Sequence, residues 1–171
     1  MNKKILQEIL EDVTLTLYQF DIPYFLIGGT LLGAIRDKNF IEWDTDIDLG
    51  IYYSGSFKKI YEAIKNLEKL GFNVTKFNIS NITLDRGYRI DLFWFHEQLE
   101  KNHIQYFYSY LGDKKLVFPV TCLNGLETIN FLNKSYPVPR NPKKYLETQF
   151  GNNWQIPNPK FTCENYNNIQ K

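Results

Sequence analysis

Three aspartates carry the residue types and spacing most suited to chemistry. Asp46 and Asp48 stand in Trp43-Asp44-Thr45-Asp46-Ile47-Asp48-Leu49, where Ile47, Leu49 and Ile51 alternate with Asp46, Asp48 and Gly50. Such alternation predicts a strand over residues 45–53 with one polar face. Side chains two apart on a strand point the same way, so the two carboxylates sit together with Cα atoms roughly 7 Å apart. Two anions so placed repel. A hard divalent cation with oxygen ligands would neutralise them while keeping positions open for water and a substrate phosphate, which suits Mg²⁺, as one ion or two, with Mn²⁺ as the alternative. The third carboxylate is Asp91, in Tyr88-Arg89-Ile90-Asp91-Leu92-Phe93-Trp94-Phe95. Alternation puts Arg89 and Asp91 on one face there, and an Asp in so apolar a strand needs a partner, either metal or Arg89.

Upstream, Gly28-Gly29-Thr30 follows the apolar run Tyr24-Phe25-Leu26-Ile27. A glycine turn from strand to helix can bring backbone N–H groups and the Thr30 hydroxyl to a phosphate, helped by the positive end of the helix dipole. Arg36, near the other end of that helix, could reach an anion if the chain folds back. Gly28, Gly29, Thr30, Arg36 and Arg89 are therefore the candidate substrate-binding residues. Asp46, Asp48 and Asp91 are the candidate catalytic and metal-binding ones, with Asp91 as the base for an attacking hydroxyl. Each element has a plainer reading. A Gly-Gly turn is usually only a turn, an Asp-x-Asp is usually a solvated strand face, and Asp91 could simply pair with Arg89. Their joint occurrence, in this order, points to phosphoryl or nucleotidyl transfer.

The elements that must position these groups follow from periodicity. Ile5, Leu6, Ile9, Leu10, Val13, Leu17 and Phe20 recur at three- and four-residue intervals, predicting an amphipathic helix over 3–20. A strand over 24–27 leads into a helix to about Arg36, with Thr30 as its N-cap. Ser56 caps a further helix with stripe Ile60, Ile64, Leu67 and Leu70, stopped by Gly71. Strands follow near 72–77, 79–84 and 88–95, the last two joined through Asp85-Arg86-Gly87, then 106–110 and 115–120 around Gly112-Asp113. The last third reads as loop, with Pro137, Pro139, Pro142, Pro157 and Pro159 bracketing one short helix over 143–150 that ends at Gly151. The pattern is an α+β fold, a mixed β-sheet with helices packed on it in a single domain over 1–171, with the catalytic core at 24–95 and a closing segment at 104–160.

Composition narrows the classes. With 171 residues and 43% hydrophobic content the chain can bury one ordinary core. Twenty Lys and Arg against nineteen Asp and Glu leave a formal charge of +1, so no nucleic-acid partner is expected and anion recognition must be local. Gln7, Glu8, Glu11 and Asp12 interrupt any signal-peptide core, and no apolar run is long enough to span a membrane, which predicts a soluble, cytoplasmic protein. Cys122 and Cys163, far apart and unpaired in spacing, receive no role, and neither do His96 and His103.

The segment Gly28-Gly29-Thr30-Leu31-Leu32-Gly33-Ala34-Ile35-Arg36, followed by Phe40-Ile41-Glu42-Trp43-Asp44-Thr45-Asp46-Ile47-Asp48, resembles the LicD family of the nucleotidyltransferase-fold superfamily, with its fukutin-related members. A weaker match is Pro137-Val138-Pro139 with Tyr145-Leu146 and Phe150-Gly151-Asn152-Asn153-Trp154, so that the resemblance runs over about 24–159. It implies a nucleotidyltransferase-like fold. It also implies Mg²⁺-dependent transfer of phosphocholine or a similar phospho-substituent from a CDP-linked donor, such as CDP-choline or a CDP-alditol, to a hydroxyl of a cell-surface glycan or lipid-linked precursor. Asp46, Asp48 and Asp91 would bind metal, and Gly29, Thr30 and Arg36 would contact the donor phosphates. Thr45 stands where relatives commonly carry another Asp, and much of the insertion that larger members place before the closing motif is missing. Trp43, Tyr88 and Trp154 could stack on a base or close over choline, although core packing is the plainer role for at least two. Two other readings stay open: transfer of a nucleotide itself to a small molecule or protein, and a non-catalytic nucleotide-binding protein of the same fold.

Overall fold

The computed structural model describes residues 2–52, 57–78, 80–99 and 105–170. Helix α1 (Lys3–Gln19) starts at Asn2, whose side-chain oxygen accepts from the N–H groups of Lys4 and Ile5 at 3.1 and 3.4 Å. Its buried stripe is Leu6, Ile9, Leu10, Val13 and Leu17, each worth about 1.5–3 kcal/mol of burial, while Ile5 lies at its exposed edge.

Strand β1 (Tyr24–Leu26) runs into α2 (Gly28–Leu32), which passes without a break into a π-helical turn (Gly33–Asp37). The helix begins three residues earlier than expected. Ile27 is its N-cap, not Thr30, because Gly28 takes φ +54° and lets the chain turn at once. Strand β2 (Asp46–Tyr52) follows, then α3 (Phe57–Lys69), with Ile60, Ala63, Ile64 and Leu67 buried. The expected cap Ser56 lies outside the described residues. Leu70 is 46% exposed rather than part of the stripe, since the helix has already ended before Gly71 turns at φ +87°.

Strands β3 (Asn73–Phe77), β4 (Asn81–Asp85) and β5 (Arg89–Leu99) form two successive antiparallel pairs, the second joined through Gly87 at φ +80°. Ile79, the expected start of the second of these, is outside the described residues. Strands β6 (Gln105–Leu111) and β7 (Lys114–Pro119) form the next hairpin, and β10 (Ile169–Gln170) adds to the free edge of β7. One path through the sheet reads β1, β2, β5, β6, β7, β10, with β4 and then β3 attached to β5. Among the described strands of this sheet only β2 and β5 run parallel, which makes the sheet mixed, as the sequence suggests.

The last third departs from the expected loop. After the short helix α4 (Val120–Leu123), strands β8 (Leu126–Phe131) and β9 (Lys134–Pro139) make a second, two-stranded sheet beside β1. Pro137 and Pro139 sit within β9, opposite Thr128 and Leu126, a place open to proline because β9 pairs on one side only among the described strands. Its inward residues Tyr136 and Val138 are buried. Helix α5 (Pro142–Phe150) follows, capped by Asn141, and the remaining chain folds back over the sheet to a 3₁₀ turn (Cys163–Asn165) before β10. Among the described residues no helix is long and apolar enough to cross a membrane.

Candidate active site

The parallel pairing of β2 with β5 assembles the acidic centre. Its register sets Asp48 opposite Asp91 and Asp46 opposite Arg89, so two strands remote in sequence bring three carboxylates together. One oxygen from each of Asp46, Asp48 and Asp91 lies within 4.8 Å of the others. Asp91 is 1% exposed and fully engaged. Its Oδ1 accepts from Thr83 Oγ1 at 2.5 Å and from Asn81 Nδ2 at 2.8 Å, and its Oδ2 accepts from Arg89 Nη2. Arg89, one of the two partners open to Asp91 on sequence grounds, is in place. Asn81 and Thr83 escaped the sequence reading, although their alternation with Ile82 and Leu84, on a strand hairpinned to that of Asp91, was the available signal.

The two glycines make room for acid rather than only for a turn. A Cβ on Gly28 would stand 2.3 Å from Asp48 Oδ2, and one on Gly29 would stand 2.0 Å from Asp44 Oδ2. Both carboxyls therefore press against the start of α2, where Gly29 N–H donates to Asp48 Oδ2 at 3.2 Å. Loss of water, then the charges of Asp46, Asp44 and Asp91, hold the Asp48 carboxyl well above the usual carboxylate range, and the Gly29 bond opposes this only in part. Asp44 is pushed up to about 7, by burial first and then by its hydrogen bond to Asp46 and that group's charge. It stands outside the group of three. Unlike Asp91, the β2 carboxyls form no salt bridge among the described residues, and they feel the Arg89 charge only from a distance.

These groups line one side of a cavity of about 780 Å³. Gly28, Gly29, Arg36 and Arg89 share that lining with Asp44, Asp46, Asp48 and Asp91. Arg36 projects from the π-helical turn and is fixed by Asp37, Nε to Oδ1 at 2.7 Å and Nη2 to Oδ2 at 2.8 Å. Thr30 is placed differently. It is 3% exposed, is absent from the lining, and its Oγ1 accepts the Asp48 N–H at 2.9 Å, so it ties α2 to β2 instead of facing the cavity. Trp43, 43% exposed, and Trp154, buried, line the cavity, whereas the Tyr88 hydroxyl accepts from the Asn2 N–H at 2.7 Å. His96 stacks on Tyr108 at 5.0 Å between ring centroids, and His103 lies outside the described residues. The lining also includes Tyr145, Gln149 and Phe150 of α5, which packs against α2, and Phe161 and Tyr166 of the returning C-terminal segment. Sequence reasoning assigned none of these five to a site, because a loop-like composition hides where a segment returns.

The donor set fits a hard divalent cation: carboxylate oxygens only, close together, repelling, and open to a cavity. The chemistry such a corner supports is the binding and activation of a phosphate ester.

Comparison with known proteins agrees. The family model for the LicD/FKTN/FKRP nucleotidyltransferase domain matches residues 21–141. Human ribitol-5-phosphate transferase FKTN is 28% identical over 161 residues and human ribitol 5-phosphate transferase FKRP is 30% identical over 170, each match covering 91% of this chain and 34% of the relative. The chain thus spans about a third of the length of these curated relatives. The lipopolysaccharide cholinephosphotransferase LicD of Haemophilus influenzae is 61% identical over 31 residues, 18% of this chain and 12% of that protein. In fold, the solution structure of the antibiotic-resistance factor ANT(2'')-Ia matches with a TM-score of 0.58 at 12% identity over 95% of this chain and 80% of that one. The lincosamide adenylyltransferase LnuA matches with 0.54 at 18% identity over 85% of each. The architecture is the mixed sheet of the nucleotidyltransferases. With more than half its residues matched by the family model, and with the Gly28-Gly29 turn and paired aspartates inside that match, the chain belongs to the LicD family.

Proposed function

We propose that the protein transfers a phospho-substituent, phosphocholine or a phospho-alditol, from a CDP-activated donor to a hydroxyl of a glycan or lipid-linked glycan precursor. The observation that carries this reading is the register of β2 on β5, which sets Asp48 across from Asp91 with Asp46 beside them, on the wall of a cavity that also presents Gly28, Gly29, Arg36 and Arg89. The names of the relatives, transferases of ribitol 5-phosphate and of phosphocholine, support the class of group transferred.

Asp46, Asp48 and Asp91 would hold Mg²⁺, or Mn²⁺, which when bound offsets the charge of the donor phosphates. Gly28 and Gly29 leave the start of α2 free of side chains, so a phosphate can approach the backbone. Arg36, fixed by Asp37, and Arg89, whose side chain is 58% exposed, would orient the diphosphate. The acceptor oxygen then bonds to the phosphorus that carries the head group, and the bond from that phosphorus to the bridging oxygen breaks. CMP leaves with the bonding electrons, and the hydroxyl proton passes to Asp91, as Arg89 turns from Asp91 to the donor.

The test is incubation of the purified protein with Mg²⁺ and a panel of CDP-choline, CDP-ribitol, CDP-glycerol, ATP and CTP, measuring released CMP and pyrophosphate. Metal-dependent CMP release is the expected result. Pyrophosphate release would instead support nucleotide transfer, the reaction named for the LnuA structure, and no turnover or nucleotide binding would favour a non-catalytic role.

A further inference from the structure

We propose that Tyr166 is a further catalytic residue, whose hydroxyl donates a hydrogen bond to a phosphate oxygen of the bound donor from the returning C-terminal segment. The proposal rests on the transfer reading above, and it adds a substrate contact from beyond residues 21–141, the part of the chain that the family model matches.

The chain fixes Tyr166 from both sides. Before it, Thr162 and Asn165 close a capping box around the 3₁₀ turn: the Thr162 N–H and Oγ1 donate to Asn165 Oδ1 at 2.9 and 3.1 Å. Tyr166 caps the other end of that turn, with its N–H on the Cys163 carbonyl at 3.3 Å. After it, the Asn167 N–H donates to the Gln149 carbonyl of α5 at 3.0 Å, and the Asn168 carbonyl accepts from the Val117 N–H of β7 at 3.0 Å, where β10 begins its pairing. The ring stands edge-on to Phe150, with centroids 5.3 Å apart and planes at 84°, and lies 6.0 Å from the ring of Phe161. Backbone and ring are both held, so the hydroxyl is presented at a set position.

That hydroxyl is unspent and within reach of a ligand. Among the described residues the hydroxyl side chains lining the cavity are Ser109, Tyr145, Thr162 and Tyr166. Ser109 Oγ and the Tyr145 hydroxyl are sealed from water, and the Thr162 hydroxyl donates to Asn165. Tyr166 is half-buried, and its hydroxyl is not among the sealed atoms and makes no hydrogen bond among the described residues, so a molecule in the cavity can meet it.

The surroundings say what it would meet. Asp48 and Asp44 press on Gly28 and Gly29 at the start of α2, α2 packs on α5, and α5 ends in the Phe150 ring that holds Tyr166. Burial first, then the charge of Asp48, with Cys163, Asp44 and Asp46 after it, holds the Tyr166 phenol well above its ordinary range, so it keeps its proton and can only be a better donor than acceptor beside these acids. A cation on Asp46, Asp48 and Asp91 leaves some phosphate oxygens uncovered, and a phenol bound to a charged oxygen makes one of the stronger hydrogen bonds. A lysine or arginine in this place would pair with the β2 carboxyls and take the position of the ion, whereas a neutral donor does not compete for it. Tyr166 keeps its proton throughout, so the bonds formed and broken are those of the transfer itself.

The experiment measures calorimetric affinity in Mg²⁺ for inorganic pyrophosphate, CDP and cytidine, for the wild type and Tyr166→Phe. The substitution removes one oxygen and keeps the ring against Phe150 and Phe161, and an unchanged melting temperature confirms the fold. Pyrophosphate and CDP should bind about tenfold more weakly to the variant, with cytidine unaffected. Wild-type affinity of the variant for both phosphate ligands, a loss for cytidine equal to that for CDP, or a wild type that binds neither phosphate ligand would overturn the proposal. A wild type that binds pyrophosphate but not CDP sinks the CDP donor and leaves the phosphate contact standing. CMP release from CDP-choline, CDP-ribitol and CDP-glycerol is scored separately: phosphate affinity lost in the variant without any release by the wild type sinks the transfer reading alone, and release by the variant at the wild-type rate with unchanged phosphate affinity sinks the Tyr166 contact alone.

Discussion

Asp91 on β5 and Asp48 on β2 are direct neighbours across one parallel register, yet they live under opposite conditions. Asp91 is buried with Asn81, Thr83 and Arg89 already bonded to its oxygens, so its charge is compensated within the fold. Asp48 has one N–H, from Gly29, against the charges of three other carboxyl groups. The difference teaches a division of labour. The β5 side fixes its carboxylate with donors already in place, one of which, Arg89, the proposed reaction draws away, whereas the β2 side keeps a larger demand for positive charge, which a cation and a donor can meet. A site built of two Asp91-like halves would leave no position for the ion, and one of two Asp48-like halves would be costly to fold.

The contrast is broken most severely at Asp48. Asp48→Ala removes the acid that faces all the others, and it is expected to lower metal-dependent CMP release on the order of 10³-fold while leaving the chain folded. Steady-state rates over a Mg²⁺ titration check this, and a variant retaining near-normal turnover would remove Asp48 from the chemistry. On the other side of the register, Thr83→Val together with Asn81→Leu strips Asp91 of two donors and leaves a buried carboxylate with Arg89 alone. The expected cost is about 2–4 kcal/mol of stability, read from chemical denaturation. An unchanged midpoint would mean that Arg89 suffices to compensate Asp91.

The glycine turn tests the space between these halves. Gly28→Ala must both take φ +54° and push Asp48 Oδ2 from a position 2.3 Å from the new Cβ. The left-handed conformation alone costs roughly 1–2 kcal/mol. The displaced carboxyl should also weaken Mg²⁺ binding, which calorimetry would show as a lower affinity beyond the stability loss.

How far the sequence reached follows the same physical lines. Periodicity located α1, α3, β2, β5 and the β4–β5 hairpin, because one buried face per element writes itself as a period of 3.6 or 2. Since that hairpin was legible, Thr83 could have been placed against Asp91. The parallel docking of β2 on β5, by contrast, is a contact between segments some forty residues apart, which no local pattern encodes. The β8–β9 hairpin was hidden by Pro137 and Pro139 and by a turn at Leu132-Asn133, both with positive φ, where a glycine would have announced it. Thr30 read as a helix cap and phosphate ligand because hydroxyls before apolar runs usually cap. Its actual partner, the Asp48 N–H, depends on that same tertiary docking.

The smallest expected effect also reads the unsatisfied half most directly. Asp44, pushed up to about 7, and Asp48, raised well above its ordinary range, both bind protons more tightly in the folded chain than in the unfolded one. Stability in the absence of divalent cations is then fully present below the unfolded carboxylate value near 4, and it is lost as pH rises toward 7, the opposite of the slope that salt-bridged carboxylates give. Asp46→Asn removes a charge that raises both neighbours, so it should flatten this slope and lift the metal-free melting temperature by a few degrees near pH 7. Mg²⁺ should stabilise the wild type more at pH 7 than at pH 5, because at the lower pH protons occupy the carboxyls it would bind. Melting curves at the two pH values, with EDTA and with Mg²⁺, decide the matter. A wild type equally stable at both pH values in EDTA would mean that the carboxyls of β2 carry no such repulsion, and the contrast between the two strands would then rest on hydrogen bonding alone.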